Sequence, residues 1–199
     1  MSIFNFPFPI ILASQSPRRR QLLSDAGFIF DVLPPDDGAE DHQQPGETPD
    51  HYVCRLAVQK ARNVAAKLDS GRIIACDTVV ICKNRVLEKP IDRDDARQML
   101  QFSRGQIQFV LSGLCLLTKR TPKDHGTYLV ETSTTTLSMQ AITDLEIEDY
   151  LDSGNWQGKA GGFGYQDRND WISIIEGSES NVVGLPMELL KQLLVVSSQ

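Results

Sequence analysis

The sequence has few of the residues from which common metal and redox sites are built. Its 199 residues include four cysteines and three histidines. No cysteines show CxxC spacing, and the histidines do not flank them at zinc-ligand intervals, so we expect no Cys/His zinc site. Cys76 and Cys82 lie in an apolar run, which favours buried, reduced thiols in a cytoplasmic protein.

Long apolar runs and an excess of positive charge are also missing. No segment has 18 consecutive apolar residues, so we expect no membrane span. The apolar start lacks a basic leader and contains Pro7 and Pro9, which argues against a signal peptide. Twenty basic residues against 26 acidic ones give a net charge of −6, and such a field repels polyanions. We therefore expect neither a nucleic-acid nor a membrane partner.

What is present is an ordinary globular composition with alternating strand and helix signals. Strands are predicted at 10–13, 28–33, 72–82, 106–118, 127–140 and 171–176, and helices at 18–26, 49–71, 92–102, 143–153 and 186–195. The segment 34–47 is predicted to be a loop. The pattern indicates an α/β fold, with a mixed twisted sheet flanked by helices. We expect residues 1–199 to form a single domain of two lobes around a deep cleft, without a separable linker.

The first candidate site is the segment from Ser14 to Arg20, where a predicted strand meets a helix N-terminus. Backbone N–H groups, two serine hydroxyls and guanidinium groups in that position could hold a phosphate. The alternative is that Ser16 only caps the helix and the arginines form a solvated face. The glycine-rich nucleotide motifs GxxxxGK[ST] and GxGxxG are absent.

The second candidate is Asp77, a carboxylate in the middle of a predicted buried strand. Its burial without a partner would cost several kcal/mol, so we expect a cation, a water network, or an Arg or Lys beside it. A purely structural salt bridge is the alternative. Lys89 follows a short predicted strand, and when it is considered alone it is interpreted as a surface lysine.

Two later segments complete the candidates. The segment 158–166 has four glycines that permit close backbone approach to a ligand, with Lys159 for charge and Gln166 for hydrogen bonds to a base. A plain glycine hinge is the alternative. The segment 181–186 is interpreted as a helix entry rather than a ligand site.

Six motifs, in order, resemble the Maf family of nucleoside triphosphate pyrophosphatases, also called septum formation proteins: LASQSPRR, RLAVQKA, CDTVV, LEKP, KAGGFGYQ and NVVGLP. The resemblance runs from about Ile10 to Leu194. It implies a Maf/ITPase-like fold with a deep nucleotide-binding cleft, often in a homodimer. It also implies hydrolysis of a nucleoside triphosphate to the monophosphate and pyrophosphate with a divalent metal cation, Mg²⁺ or Mn²⁺.

The resemblance also implies roles for individual residues. Asp77 corresponds to the proton acceptor, and the Phe-Gly-Tyr-Gln segment to the dTTP/UTP branch of the family. The phosphate and metal environment corresponds to Ser14, Arg18, Arg19, Lys60, Lys89 and Lys159, and base selection to Arg18, Thr78 and Gln166.

The sequence departs from the family pattern at two positions, where Gly158 and Asn155 replace acidic residues. The resemblance implies a metal-binding carboxylate in the 34–47 loop, for which we expect Glu40, with Asp37 or Asp36 as alternatives. It also implies that Asp77 acts as base, as metal ligand or as both. A triphosphate carries about four negative charges, so its site needs a divalent cation with arginine and lysine. The competing function is a nucleotide-binding regulator of septum formation that does not hydrolyse its ligand. A third alternative, within the enzyme class, is a housecleaning hydrolase that acts on modified nucleotides.

Overall fold

The computed structural model describes residues 8–38, 41–167 and 169–197. Within these ranges the chain forms seven strands: β1 (Ile10–Leu12), β2 (Asp31–Val32), β3 (Gly71–Cys82), β4 (Arg85–Leu87), β5 (Ile107–Lys119), β6 (Thr127–Met139) and β7 (Ile172–Glu176). They make one sheet in the order β2-β1-β3-β5-β6-β7, with β4 paired to β3.

The sheet is mixed, as the sequence predicts. Strand β1 runs parallel to both of its neighbours, with Ile11 opposite Asp31 on β2 and Ile73 on β3. Strands β4 and β7 are antiparallel to β3 and β6. Every residue of β1 is buried, and so is nearly all of β3. Covered parallel strands read as continuous apolar runs, which is why both were visible in the sequence.

Six α-helices accompany the strands in the described ranges: α1 (Pro17–Asp25), α2 (Pro49–Ala65), α3 (Arg93–Ser103), α4 (Asp144–Asp152), α5 (Glu179–Val183) and α6 (Met187–Val196). Side-chain caps begin four of them, at Ser16, Thr48, Asp92 and Thr143. Thr143 and Glu146 form a reciprocal capping box. Capping accounts for the accuracy of these predicted starts, because the cap residue itself accepts an otherwise unpaired N–H.

Two elements differ from the prediction by more than one residue at a boundary, and one helix was not predicted. The strand expected at 28–33 pairs over only Asp31–Val32, because its neighbour β1 is only three residues long. Helix α2 ends at Ala65 rather than near Gly71. The short helix α5 was not predicted, and its five residues are too few to show a helical apolar period.

The described residues divide into two compact units. The first is drawn from 1–77, 112–133 and 184–199, and the second from 78–111 and 134–183. The first unit contains two apolar clusters, one around Leu12 and Leu114 and one around Ala57 and Ile73. The second contains one cluster, centred on Leu100, Tyr150 and Trp171. Each unit therefore has its own core.

The four cysteines are free thiols, three of them buried and Cys54 half-buried. Burial raises the pKa of the Cys115 thiol to about 12 and also raises that of Cys82. These thiols stay protonated at neutral pH and are poor nucleophiles. In the part of the chain that the structure describes, no helix is long and apolar enough to cross a membrane.

Candidate active site

The turn from β1 into α1 is built by two serines of the first unit. The backbone N–H of Ser16 donates to Ser14 Oγ at 3.1 Å, and Ser16 Oγ accepts from the Arg19 N–H at 3.4 Å. Pro17 occupies the first helical turn, where its missing N–H costs nothing. The capping role of Ser16 is confirmed, and Ser14, only 6% exposed, accepts the backbone N–H of this cap residue.

Arg19 braces this turn against two other segments of the first unit. Its Nη1 donates to the Cys76 carbonyl at 2.6 Å, and its Nε donates to the Gly184 carbonyl at 2.7 Å. The same Nη1 lies 3.5 Å from Ser14 Oγ. Arg19 is therefore not part of a solvated face, and it holds the backbone immediately before Asp77. Arg18 is half-buried, whereas Arg20 is exposed.

Asp77 has the partner that its burial requires. Lys60 Nζ on α2 donates to Asp77 Oδ1 on β3 at 2.6 Å. The side chains are 7% and 12% exposed, so both charges are largely removed from water. At such burial an ion pair is maintained only with close geometry, since each charge alone would be strongly disfavoured. The structure thus joins two residues that the resemblance places in the site.

The loop before α2 is anchored by Arg55 and Gln59. Arg55 forms a two-pronged pair with Glu47, in which the Nε–Oε1 and Nη2–Oε2 distances are both 2.7 Å. This guanidinium lowers the pKa of Glu47 to about 2. Gln59 Nε2 donates to Asp41 Oδ2 at 2.6 Å. The described part of the loop is therefore tied to the helix that also bears Lys60.

The predicted metal ligand of this loop, Glu40, lies outside the described residues. Of its two alternatives, Asp36 accepts hydrogen bonds from Lys67 and Asn63, which lower its pKa. Asp37 is exposed. Asp36 is thus occupied by a surface ion pair, and nothing in its contacts points to metal binding.

The second unit contains Thr78, Lys89, Lys159 and Gln166. Lys89 follows β4 and is exposed, and Gln166 is exposed as well. The Gly161 N–H donates to the Glu88 carbonyl at 3.0 Å, which joins the LEKP and KAGGFGYQ segments. Lys159 Nζ is paired with the Asp167 carboxylate. The structure therefore brings two of the motifs together and gives Lys159 a fixed counter-ion.

Gly158 explains one of the two departures from the family pattern. Its φ is +68°, in the left-handed region that only glycine enters at little cost. No atom lies within 4 Å of where its Cβ would be. An acidic residue at this position would thus be strained by the backbone and not by crowding.

Asn181 is a structural anchor, as the helix-entry interpretation of its segment suggests. It is fully buried, and its Nδ2 donates to the Val110 carbonyl and to Thr135 Oγ1, both at 3.0 Å. Pro186 then stands immediately before α6. Asn181 therefore ties α5 to β5 and β6.

A resident metal cage is not found among 8–38, 41–167 and 169–197. No group of three or more His, Cys, Asp or Glu side chains in these ranges could hold an ion. Asp77, with one oxygen bound to Lys60, fits instead a cation that takes most of its ligands from phosphates, as Mg²⁺ does in many nucleotide sites.

The described residues place serine, arginine and lysine side chains, which are of types that bind phosphates, on an α/β fold. The family of Maf-like proteins matches residues 9–196. The chain belongs to this family.

Similar curated proteins agree with that placement. The chain is 48% identical to a dTTP/UTP pyrophosphatase of Rhodopirellula baltica, with 94% of this chain and 82% of that protein covered. It is 40% identical to a dTTP/UTP pyrophosphatase of Koribacter versatilis, with 92% of each covered.

A solved dITP/XTP pyrophosphatase of Mycobacterium abscessus is 12% identical, with 96% of this chain and 97% of that chain covered and a TM-score of 0.41.

Two residues of the second unit were missed at the sequence level. Tyr150 and Asp167 contact the glycine segment and Lys159, yet neither belongs to a motif used for the assignment. Tyr150 lies on the apolar face of α4, where the sequence pattern predicts only that an aromatic residue belongs to the hydrophobic core. No signal in the sequence distinguishes its hydroxyl as functional.

Proposed function

We propose that this protein hydrolyses nucleoside triphosphates, with dTTP and UTP preferred, to the monophosphate and pyrophosphate. The observation that supports this most directly is the buried Asp77–Lys60 pair, in a chain 48% identical to a dTTP/UTP pyrophosphatase. A buried, paired carboxylate on a strand is a suitable base for a phosphoryl-transfer site.

Asp77 acts on the attacking water in this proposal. Its Oδ1 is held by Lys60, so its Oδ2 is the oxygen that can accept the proton of a water approaching the α-phosphorus. Lys60 fixes the orientation of the carboxylate, and Arg19 fixes the strand before it through the Cys76 carbonyl. In this proposal Lys60 and Arg19 together hold the base in position. A fixed position matters because small misplacements of reacting groups are costly.

The cationic side chains bind and neutralise the phosphates. Arg18 and Lys159 offer N–H donors to phosphate oxygens, and Lys89 adds an exposed positive charge. A divalent cation, Mg²⁺ or Mn²⁺, would neutralise charge on the leaving pyrophosphate, and Asp77 and Glu40 are the residues that would hold it together with the phosphates. Arg18, Thr78 and Gln166 contribute to base selection.

The test is product analysis with a panel of nucleoside triphosphates. With Mg²⁺ or Mn²⁺ the purified protein should release pyrophosphate, rather than orthophosphate, from dTTP and UTP faster than from the purine triphosphates. Chelation with EDTA should stop the reaction. Orthophosphate as the first product would refute the assignment, and tight dTTP binding without turnover would establish the non-hydrolysing regulator instead.

Arg18→Ala tests the phosphate cradle. The KM for dTTP and UTP should rise about tenfold, because charge-assisted hydrogen bonds to phosphate are lost. Arg20→Ala is the matched control, since Arg20 is exposed on the same helix, and its kinetics should be those of the wild type. Unchanged kinetics for Arg18→Ala would show that Arg18 does not bind phosphate and would favour the alternative, in which it belongs to a solvated face.

A further inference from the structure

Tyr150 lies at the centre of a hydrogen-bonded relay in the second unit. The Gly164 N–H donates to Tyr150 Oη at 3.1 Å, and Tyr150 Oη donates to Asp167 Oδ2 at 3.1 Å. The same carboxylate oxygen binds Lys159 Nζ. The relay therefore ties the start, middle and end of the segment 159–167 together.

The relay is buried at Tyr150 and partly open to water at the Lys159–Asp167 pair. Tyr150 is 3% exposed, and the side chains of Lys159 and Asp167 are 11% and 23% exposed. The Tyr150 ring packs on Phe163 and Trp171, with centroid distances of 5.7 and 5.4 Å. Because the Tyr150 ring is buried in this aromatic cluster, its hydroxyl is removed from water, and a hydrogen bond left unmade there would be expensive.

Gly164 shows that the ion pair closes directly over the backbone. A Cβ on Gly164 would overlap the Asp167 carboxylate and would lie 2.5 Å from Lys159 Nζ. A side chain at this position would therefore displace the ends of Lys159 and Asp167 from their present contact. This contact is separate from the family motif, because it concerns a residue, Asp167, that stands just beyond the motif.

We propose that Asp167 and Tyr150 are positioning residues, Asp167 for the Lys159 ammonium and Tyr150 for the backbone that leads to Gln166. The inference rests on the proposed function and names no new contact with substrate. Asp167 holds Lys159 in the direction from which it donates to a phosphate oxygen. Tyr150 anchors Gly164, two residues before the side chain assigned to the base.

A double-mutant cycle separates positioning from general support of the fold. Asp167→Asn keeps the size of the side chain and an acceptor for Tyr150 but removes the charge that orients Lys159. With dTTP, kcat should fall about tenfold, the scale of one hydrogen bond to a charged group. KM should not rise, because the net positive charge near the phosphates increases. In a Lys159→Met background the same substitution should have no further effect, since interacting residues are non-additive.

Asp152→Asn is the matched control, because Asp152 is an exposed carboxylate of the same unit that pairs with Arg93. Its kinetics should not change. Additive effects of Asp167→Asn and Lys159→Met, or a raised KM as the main effect of Asp167→Asn, would overturn the role of Asp167. The wild type would still release pyrophosphate in that case, so the failure of this inference is distinct from the failure of the proposed function.

Tyr150→Phe tests the second half of the relay without altering the ring packing. The ratio of kcat/KM for dTTP to that for a purine triphosphate should fall about fivefold, as expected for one neutral hydrogen bond, with circular dichroism as in the wild type. An unchanged ratio would overturn the role of Tyr150. Tyr128→Phe, an exposed tyrosine of the first unit, is the control.

Discussion

Replacing Asp77 with asparagine is expected to reduce the turnover of dTTP at least about a hundredfold, the low end for the loss of a general base. Asparagine keeps the shape and can still hydrogen-bond to Lys60, but it cannot accept a proton from water. Pyrophosphate release should be measured well below the melting temperature, where circular dichroism shows the variant to be folded. A folded Asp77→Asn protein with wild-type turnover would make the buried pair purely structural.

The same substitution should also lower stability. It leaves the Lys60 ammonium buried beside a neutral amide, and breaking a buried pair in this way costs about 3 kcal/mol. If Asp77 had no partner, the same substitution would raise the stability of the protein, since removing a lone buried charge is stabilising. Asp77→Asn combined with Lys60→Gln should recover much of the melting temperature without recovering turnover. Recovery of both would argue against any catalytic role for Asp77.

Gly113→Ala is expected to have the largest effect on stability alone. Gly113 lies in β5 where α2 crosses it, and a Cβ there would lie 2.5 Å from the carbonyl carbon and oxygen of Val53 and 2.6 Å from the Cys54 nitrogen. These are backbone atoms, so the helix as a whole must move. We expect the free energy of unfolding in urea to fall by about 3 kcal/mol, the upper part of the range for overpacking.

Gly71→Ala is the control for that measurement. Its Cβ would also approach a neighbour closely, at 2.6 Å, but that neighbour is Ile11 Cδ1, the end of a flexible side chain. Rotation of Ile11 should limit the loss to about 1 kcal/mol. Equal losses at the two positions would show that α2 can shift on the sheet as easily as one side chain can rotate.

If Gly113→Ala displaces α2, it should also reduce turnover, because α2 bears Lys60 and the arginine that anchors the preceding loop. The fall in kcat should be accompanied by lower stability, unlike the expected behaviour of Arg18→Ala. Kinetics and urea unfolding measured on the same preparations distinguish the two cases.

The elements that the sequence predicted well are those whose signals are local. Ser16-Pro17, Thr48-Pro49 and the box of Thr143 and Glu146 mark helix starts through contacts within one turn of chain. Strand β3 was visible because a strand covered on both faces must be apolar along its whole length. Strand β2 was overestimated because its length depends on the short partner β1, which local composition does not report.

The sequence by itself determined the order of the motifs, the chemical types of the site residues and the requirement that Asp77 have a partner. The requirement follows from the cost of burying a charge, which applies wherever the charge lies in the fold. Only the tertiary structure decided that the partner is Lys60, that Arg19 binds backbone carbonyls and that Asp167 contacts both Lys159 and Tyr150. These contacts join residues that lie far apart in the sequence or on different elements. Which residues come into contact depends on tertiary packing, and no local sequence pattern encodes that packing.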